Sequence, residues 1–223
     1  MGSPGSGVLH MSDQLRPTAF PRSGDDTRGT SRAQFVARAV LAGGTLAAGG
    51  AVVAALPRLA ASAASPAQDQ KILNFALGLE YMEAAFYAEA FANDEFSGDL
   101  REYVSVVRRH EDAHVALLRK VLGDKAAKEP KFDFGDATSD PAKFTEAAIE
   151  LEEAVIAAYN GQAANLTKET LAAAGGIVSV EARHAGWIRA IAGKDPAPDA
   201  TDQPKTAAEV QAYVDQTGFV QSS

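Results

Sequence analysis

Two of the four histidines close the same short motif, Glu111-x-x-His114 and Glu181-x-x-His184. On a helix, residues three apart share a face, so each pair can present a carboxylate and an imidazole to one cation or to neighbouring ones. Each motif continues alike, with Arg119 and Gly123 after the first and Arg189 and Gly193 after the second. A second element also recurs: Leu79-Glu80 with Tyr87, and Leu151-Glu152 with Tyr159. The offset is 72 residues for the glutamate–tyrosine element and 70 for the Glu-x-x-His element. Two helix pairs of one design are therefore joined by a longer connection.

Chemistry follows from where these residues must lie. Leu73, Leu77, Glu80, Ala84, Tyr87 and Phe91 advance by alternating steps of four and three, as do Val104, Val107, Glu111, His114, Leu118 and Val121. The same steps link Thr145, Ile149, Glu152, Ile156, Tyr159 and Ala163, and then Ala174, Ile177, Glu181, His184, Ile188 and Ile191. These are the seams of bundle helices, and each apolar seam is interrupted by a carboxylate. Burying unpartnered carboxylates costs several kcal/mol apiece, by order of magnitude. Two divalent cations would remove that cost. One Glu from each of two helices and Glu-x-x-His from two others is a known carboxylate site for two metals in helical bundles. Its mixed oxygen and nitrogen donors suit iron, with manganese as the alternative.

Neighbouring residues are read against the same seams. Glu83 and Glu153 sit one position off the stripe, where helix glutamates ordinarily face solvent; Glu83 is also an outer-shell candidate. His110, one turn before His114, is expected at the surface or as an outer-shell group. Tyr87 and Tyr159 lie about 10 Å along the axis from their own glutamates, at about 1.5 Å per residue. Either they fill the core, or they hydrogen-bond ligands on an antiparallel neighbour.

The positioning elements can be bounded by their punctuation. Ser65-Pro66-Ala67-Gln68 reads as a capping box with Pro at the first helical position, opening a helix to about residue 92. A second helix fits 99–122 and stops at Gly123, and 130–139 reads as a loop. Asp140-Pro141 opens a third helix to about residue 164, and Thr167 caps a fourth that ends before Gly193. Gly175-Gly176 within it reads as a bend or a close approach. Thr206 to Glu209 caps a short last helix. The expected fold is all-α: an antiparallel four-helix bundle over 66–223, with a long crossover between two helix pairs and a short C-terminal helix.

Residues 1–65 read differently. An uncharged run at 39–56 follows Arg32 and Arg38 and precedes Ala61-Ser62-Ala63, the pattern of an export signal with a small-x-small cleavage site. Ser31-Arg32-Ala33-Gln34-Phe35-Val36 is similar to a twin-arginine motif, with Ala33 at the second arginine. We expect an exported protein of the periplasm, cell envelope or exterior; a retained anchor is the alternative, with membrane contact only through an uncleaved leader. The chain has no cysteine, so disulfides and thiolate metal sites are excluded. Its formal charge is -8, and residues 64–223 hold 15 Lys and Arg against 26 Asp and Glu. Such a balance argues against a nucleic-acid partner.

NFALGLEYMEAAFY, EDAHVALLRKVLG and VEARHAGWIRAIAG resemble the ferritin-like superfamily, with the helix patterns of rubrerythrin and ferritin. More narrowly, they and the tail from Pro196 to Val210 are similar to bacterial ferritin-like proteins related to the desiccation-associated proteins of plants. The resemblance spans about residues 66–220. It implies Glu80, Glu111, His114, Glu152, Glu181 and His184 as the metal ligands. It also implies a di-iron protein that oxidises ferrous iron or reduces dioxygen or peroxide, with a homodimer as one assembly open to it. A non-enzymatic stress-related envelope protein and a dimanganese catalase-like enzyme are the alternative expectations.

Overall fold

A computed structural model describes residues 64–221. The expected leader at 1–65 lies almost wholly outside the described residues. Five helices follow in order: α1 (Pro66–Asn93), α2 (Gly98–Leu122), α3 (Pro141–Gln162), α4 (Lys168–Ile191) and α5 (Ala207–Thr217). None of them is long and apolar enough to cross a membrane.

Local chemistry sets the helix ends. Ser65 Oγ accepts from the Gln68 backbone N–H and Pro66 fills the first turn, so α1 starts with a donor satisfied. Asp140 does the same for α3, accepting from Ala142 and Lys143 ahead of Pro141. Gly123, at φ 56°, ends α2 in a conformation that favours glycine. Thr206 and Glu209 satisfy each other's backbone N–H groups at the start of α5. Thr167 departs from expectation. Its hydroxyl donates to the buried Asp69 carboxylate instead of capping α4, and its backbone N–H reaches Asp69 Oδ1 at 2.9 Å. A side chain near the start of α1 thus anchors the start of α4.

α1 packs chiefly on α2, and α3 on α4. Cross-helix hydrogen bonds give the directions: α1 Tyr87 meets α3 Glu152, while the earlier Glu80 meets the later Tyr159. α1 and α3 are therefore antiparallel. α2 continues from α1 after a four-residue loop, so α2 and α3 run the same way and their connection must cover the bundle's length. It does so along α1. Ala127 binds Asn74 at 2.6 Å, Phe134 packs edge-on against Phe86, and Thr138 takes Asn93 and donates to Glu89. The C-terminal tail then clamps the crossover, with Asp133 N–H on Phe219 O and Gln221 N–H on Lys131 O, both at 2.9 Å. This is an all-α, ferritin-like bundle with a crossover between two helix pairs.

The seam of α4 is buried from Ala174 to Ile188, and the other three slip: in α3, Phe144 is buried beside a half-buried Thr145, and Ala163 lies beyond the helix. In α1 the buried line after Glu80 runs through Glu83, Phe86, Tyr87 and Ala90, leaving Ala84 and Phe91 half-buried. The crossover covers a second face of this helix, so its buried arc is wider than one stripe. In α2, Val121 is 51% exposed and Leu122 takes the buried place. Gly175 and Gly176 make no close approach: a Cβ at either would meet nothing, and α4 is continuous through them.

Candidate metal centre

Each of the four bundle helices brings to its middle the glutamate expected of it, Glu80 from α1, Glu111 from α2, Glu152 from α3 and Glu181 from α4, all with 0% exposure. His114 and His184, one turn beyond their glutamates, are 8% and 2% exposed. The antiparallel arrangement of α2 and α4 interlocks the two Glu-x-x-His pairs. His114 Nδ1 lies 2.7 Å from Glu181, 3.1 Å from Glu111 and 3.3 Å from Glu80. His184 Nδ1 lies 3.1 Å from Glu111, 3.2 Å from Glu181 and 3.4 Å from Glu152.

One ring nitrogen can direct one N–H at one acceptor, so it cannot satisfy three carboxylates. Glu80 Oε2, Glu111 Oε1, Glu152 Oε2 and Glu181 Oε1 are left buried without a hydrogen-bond partner. Some approaches to the imidazoles, the 2.7 Å one included, are thus contacts without hydrogen-bond geometry. Two sets of ligand atoms result, each within 4.8 Å of one another: Glu80, Glu111, His114 and Glu181, and Glu111, Glu152, Glu181 and His184. Glu111 and Glu181 belong to both. Convergent orphaned oxygens with one nitrogen per set are what a pair of cations requires, so the residues present fit a two-metal centre.

Protonation of the cluster without metal says the same. Burial disfavours charge on His114, but the carboxylates of Glu111, Glu181 and Glu80 around its Nδ1 outweigh it and push its pKa up to about 12. His184 is likewise raised to about 12, burial being overcome by Glu111, Glu152 and Glu181. Burial raises Glu152 to about 7 against the pull of His184, and burial with the nearby Glu181 raises Glu80 well above the carboxylate range. Protons stand where cations would otherwise neutralise the charge.

Tyrosines hold the outer oxygens. Tyr87 donates to Glu152 Oε1 at 2.5 Å, and Tyr159 donates to Glu80 Oε1 at 2.6 Å. Tyr103, which the seam pattern did not single out, shares Glu152 Oε1 at 3.1 Å and meets the Tyr87 hydroxyl at 2.9 Å. It lies eight residues before Glu111, on the same face of α2, and that spacing was its only signal. Glu83 corrects a sequence expectation. It is fully buried, not solvent-facing, and neither carboxylate oxygen has a partner. Burial raises its pKa, followed by the charge of Glu152. The seam template missed it because Glu83, one turn after Glu80, faces the same cluster, with the charges of Glu152, Glu181, Glu111 and Glu80 around it. Glu153 is exposed and ion-paired with Arg189. His110 is exposed, and its Nδ1 lies 2.8 Å from His184 Nε2. It borders a pocket of about 360 Å³ that opens over His114, His184 and Trp187.

Residues 68–194 match the ferritin-like domain family. The chain belongs to that family. Comparison with curated proteins returns no match. The matched span of the ferritin-like domain runs from the first turn of α1 to just past α4 and contains every glutamate and histidine of both sets.

Proposed function

We propose that Glu80, Glu111, His114, Glu152, Glu181 and His184 hold two divalent cations, iron first, and that the chain oxidises ferrous iron or reduces dioxygen or peroxide with them. The observation that carries this reading is the convergence of orphaned, fully buried carboxylate oxygens on two imidazole nitrogens. A bound redox-active pair would supply the electrons for such a reaction. The protein's part is positional. Glu111 and Glu181, common to both sets, are placed to bridge; Glu80 and Glu152 each complete one set, and the histidines offer neutral nitrogen. Tyr87 and Tyr103 fix the Glu152 carboxylate and Tyr159 fixes Glu80. The packed bundle keeps bulk water from the four glutamates.

Metal analysis of natively purified protein tests the reading. Two irons per chain support it. Two manganese ions would instead favour the catalase-like alternative, and none the non-enzymatic one. Similarity of the α1, α2 and α4 motifs to the desiccation-associated group supports a stress-related setting. Export is the second part of the proposal, resting on the apolar run at 39–56 and on Ala61-Ser62-Ala63. Cleavage there would leave the Ser65 cap of α1 intact. N-terminal mass spectrometry of fractionated native cells should find a mature start near Ala64 outside the cytoplasm. An uncleaved chain in the cytosol would sink the export reading, and one in the membrane fraction would support a retained anchor.

A further inference from the structure

The two halves repeat their glutamates and histidines but not the surroundings of those residues. His110 precedes Glu111, and its counterpart before Glu181 is Val180. Tyr103 stands eight residues before Glu111, and its counterpart is Ala173. Glu83 follows Glu80 by three, and its counterpart after Glu152 is Val155. All three polar members gather on one side. Tyr103 donates to Glu152, Glu152 is the charge that most raises the Glu83 carboxyl, and His110 meets His184.

The His110 contact has a direct consequence for the ligand. His184 turns Nδ1 toward Glu111, Glu152 and Glu181, and Nε2 toward His110 Nδ1 at 2.8 Å, with the ring planes only 16° apart and the ring centroids 5.1 Å apart. A neutral His184 donating from Nε2 keeps its Nδ1 lone pair facing the carboxylates. Acceptance by His110 therefore sets both tautomer and ring angle. Among the described residues nothing hydrogen-bonds His114 Nε2, and the His114 side chain is 10% exposed against 3% for His184. Val180 cannot accept a proton donor.

We propose that His110 is a positioning residue for His184, and that its replacement by valine in the second half makes the two cation positions unequal. The position at Glu152 and His184 holds its ion tightly. The one at Glu80 and His114, whose imidazole is the more exposed, exchanges more readily. This inference rests on the two-cation reading of the site.

Cobalt(II) titration of the metal-depleted full chain tests it, read by calorimetry and by the visible spectrum, which reports ligand geometry. Wild type should take two ions in resolved steps, the first tighter by about tenfold or more, the scale of losing a residue that orients a ligand. His110→Val should weaken the first step by about 10–100-fold and alter its spectrum alone. His110→Asn, which keeps an acceptor near the Nδ1 position, should restore it. Val180→His should tighten the second step, and this arm decides the matter should His110→Val fail to fold. Two equal steps in wild type, or a His110→Val variant with unchanged separation, would overturn the inference alone. Binding of fewer than two ions would overturn the two-cation reading with it.

Discussion

At the scale of single residues, the centre is a set of charges that the apo protein neutralises with protons. If Glu111 and Glu181 serve both sets, losses at the two halves must interact. Glu111→Ala and Glu152→Ala should each lower bound metal, and the double variant should lose less than the two effects combined, because the cations share ligands. Equilibrium dialysis reads this, and full two-metal binding by both single variants would refute the assigned cluster. Glu83 makes a separate prediction. Its buried carboxyl has no partner, so Glu83→Met, similar in volume and apolar, should stabilise the metal-free chain by about 1–3 kcal/mol in urea denaturation. A loss of that size would mean that the carboxyl is held by an interaction.

At the scale of elements, the bundle depends on a few close backbone approaches and on polar anchors between helices. Gly161, near the end of α3, faces the Lys205 backbone, and an added Cβ would lie 1.8 Å from the Lys205 carbonyl oxygen. Backbone cannot yield as a side-chain tip can, so Gly161→Ala should cost about 1–3 kcal/mol and loosen the segment leading into α5. Gly175 is the control, helical with open space around its Cα. Gly175→Ala should stabilise by about 0.5–1 kcal/mol through helix propensity alone. Thermal denaturation of the pair gives opposite signs if these readings hold. Asp69 belongs to the same scale, since it joins α1 to α4 by accepting from Thr167 and Thr170.

At the scale of the whole molecule, metal, protons and stability are linked. A cation that binds only the folded bundle stabilises it, so chelation should lower the melting temperature. The dependence on pH has opposite signs for metal-free stability and for cation affinity. His114 and His184, raised to about 12 when folded, stabilise the metal-free chain fully below the unfolded value of 6.5 and lose that contribution as pH rises toward 12. Glu152, raised to about 7 from 4.5, adds stability that fades as pH climbs through that interval. Metal-free stability should therefore fall between about pH 5 and 8. Cation binding must displace the imidazole protons, so it should release protons and tighten over the same range. Calorimetry in buffers of different ionisation enthalpy measures the release. A metal-dependent increment in melting temperature that shrinks as pH rises would contradict this linkage.

Much of this was legible in the chain because it is local. Capping residues and Pro at first helical positions set the starts of α1 and α3 within their own few residues, and Gly123 set the end of α2. The internal repeat marked two glutamate–tyrosine and two Glu-x-x-His elements on seam positions, since helical period alone decides which residues share a face. What lay between helices needed the tertiary structure. Only the packing of the other bundle helices on α1 shows that Glu83 is buried among Glu80, Glu111, Glu152 and Glu181. Only the antiparallel pairing of α2 with α4 brings His110 to His184, and that of α1 with α3 brings Tyr87 to Glu152. The same holds for Tyr103 and for the bond from Thr167 to Asp69. Spacing assigns a residue to a face, but what it touches depends on the register of a helix many residues away, which no local pattern records.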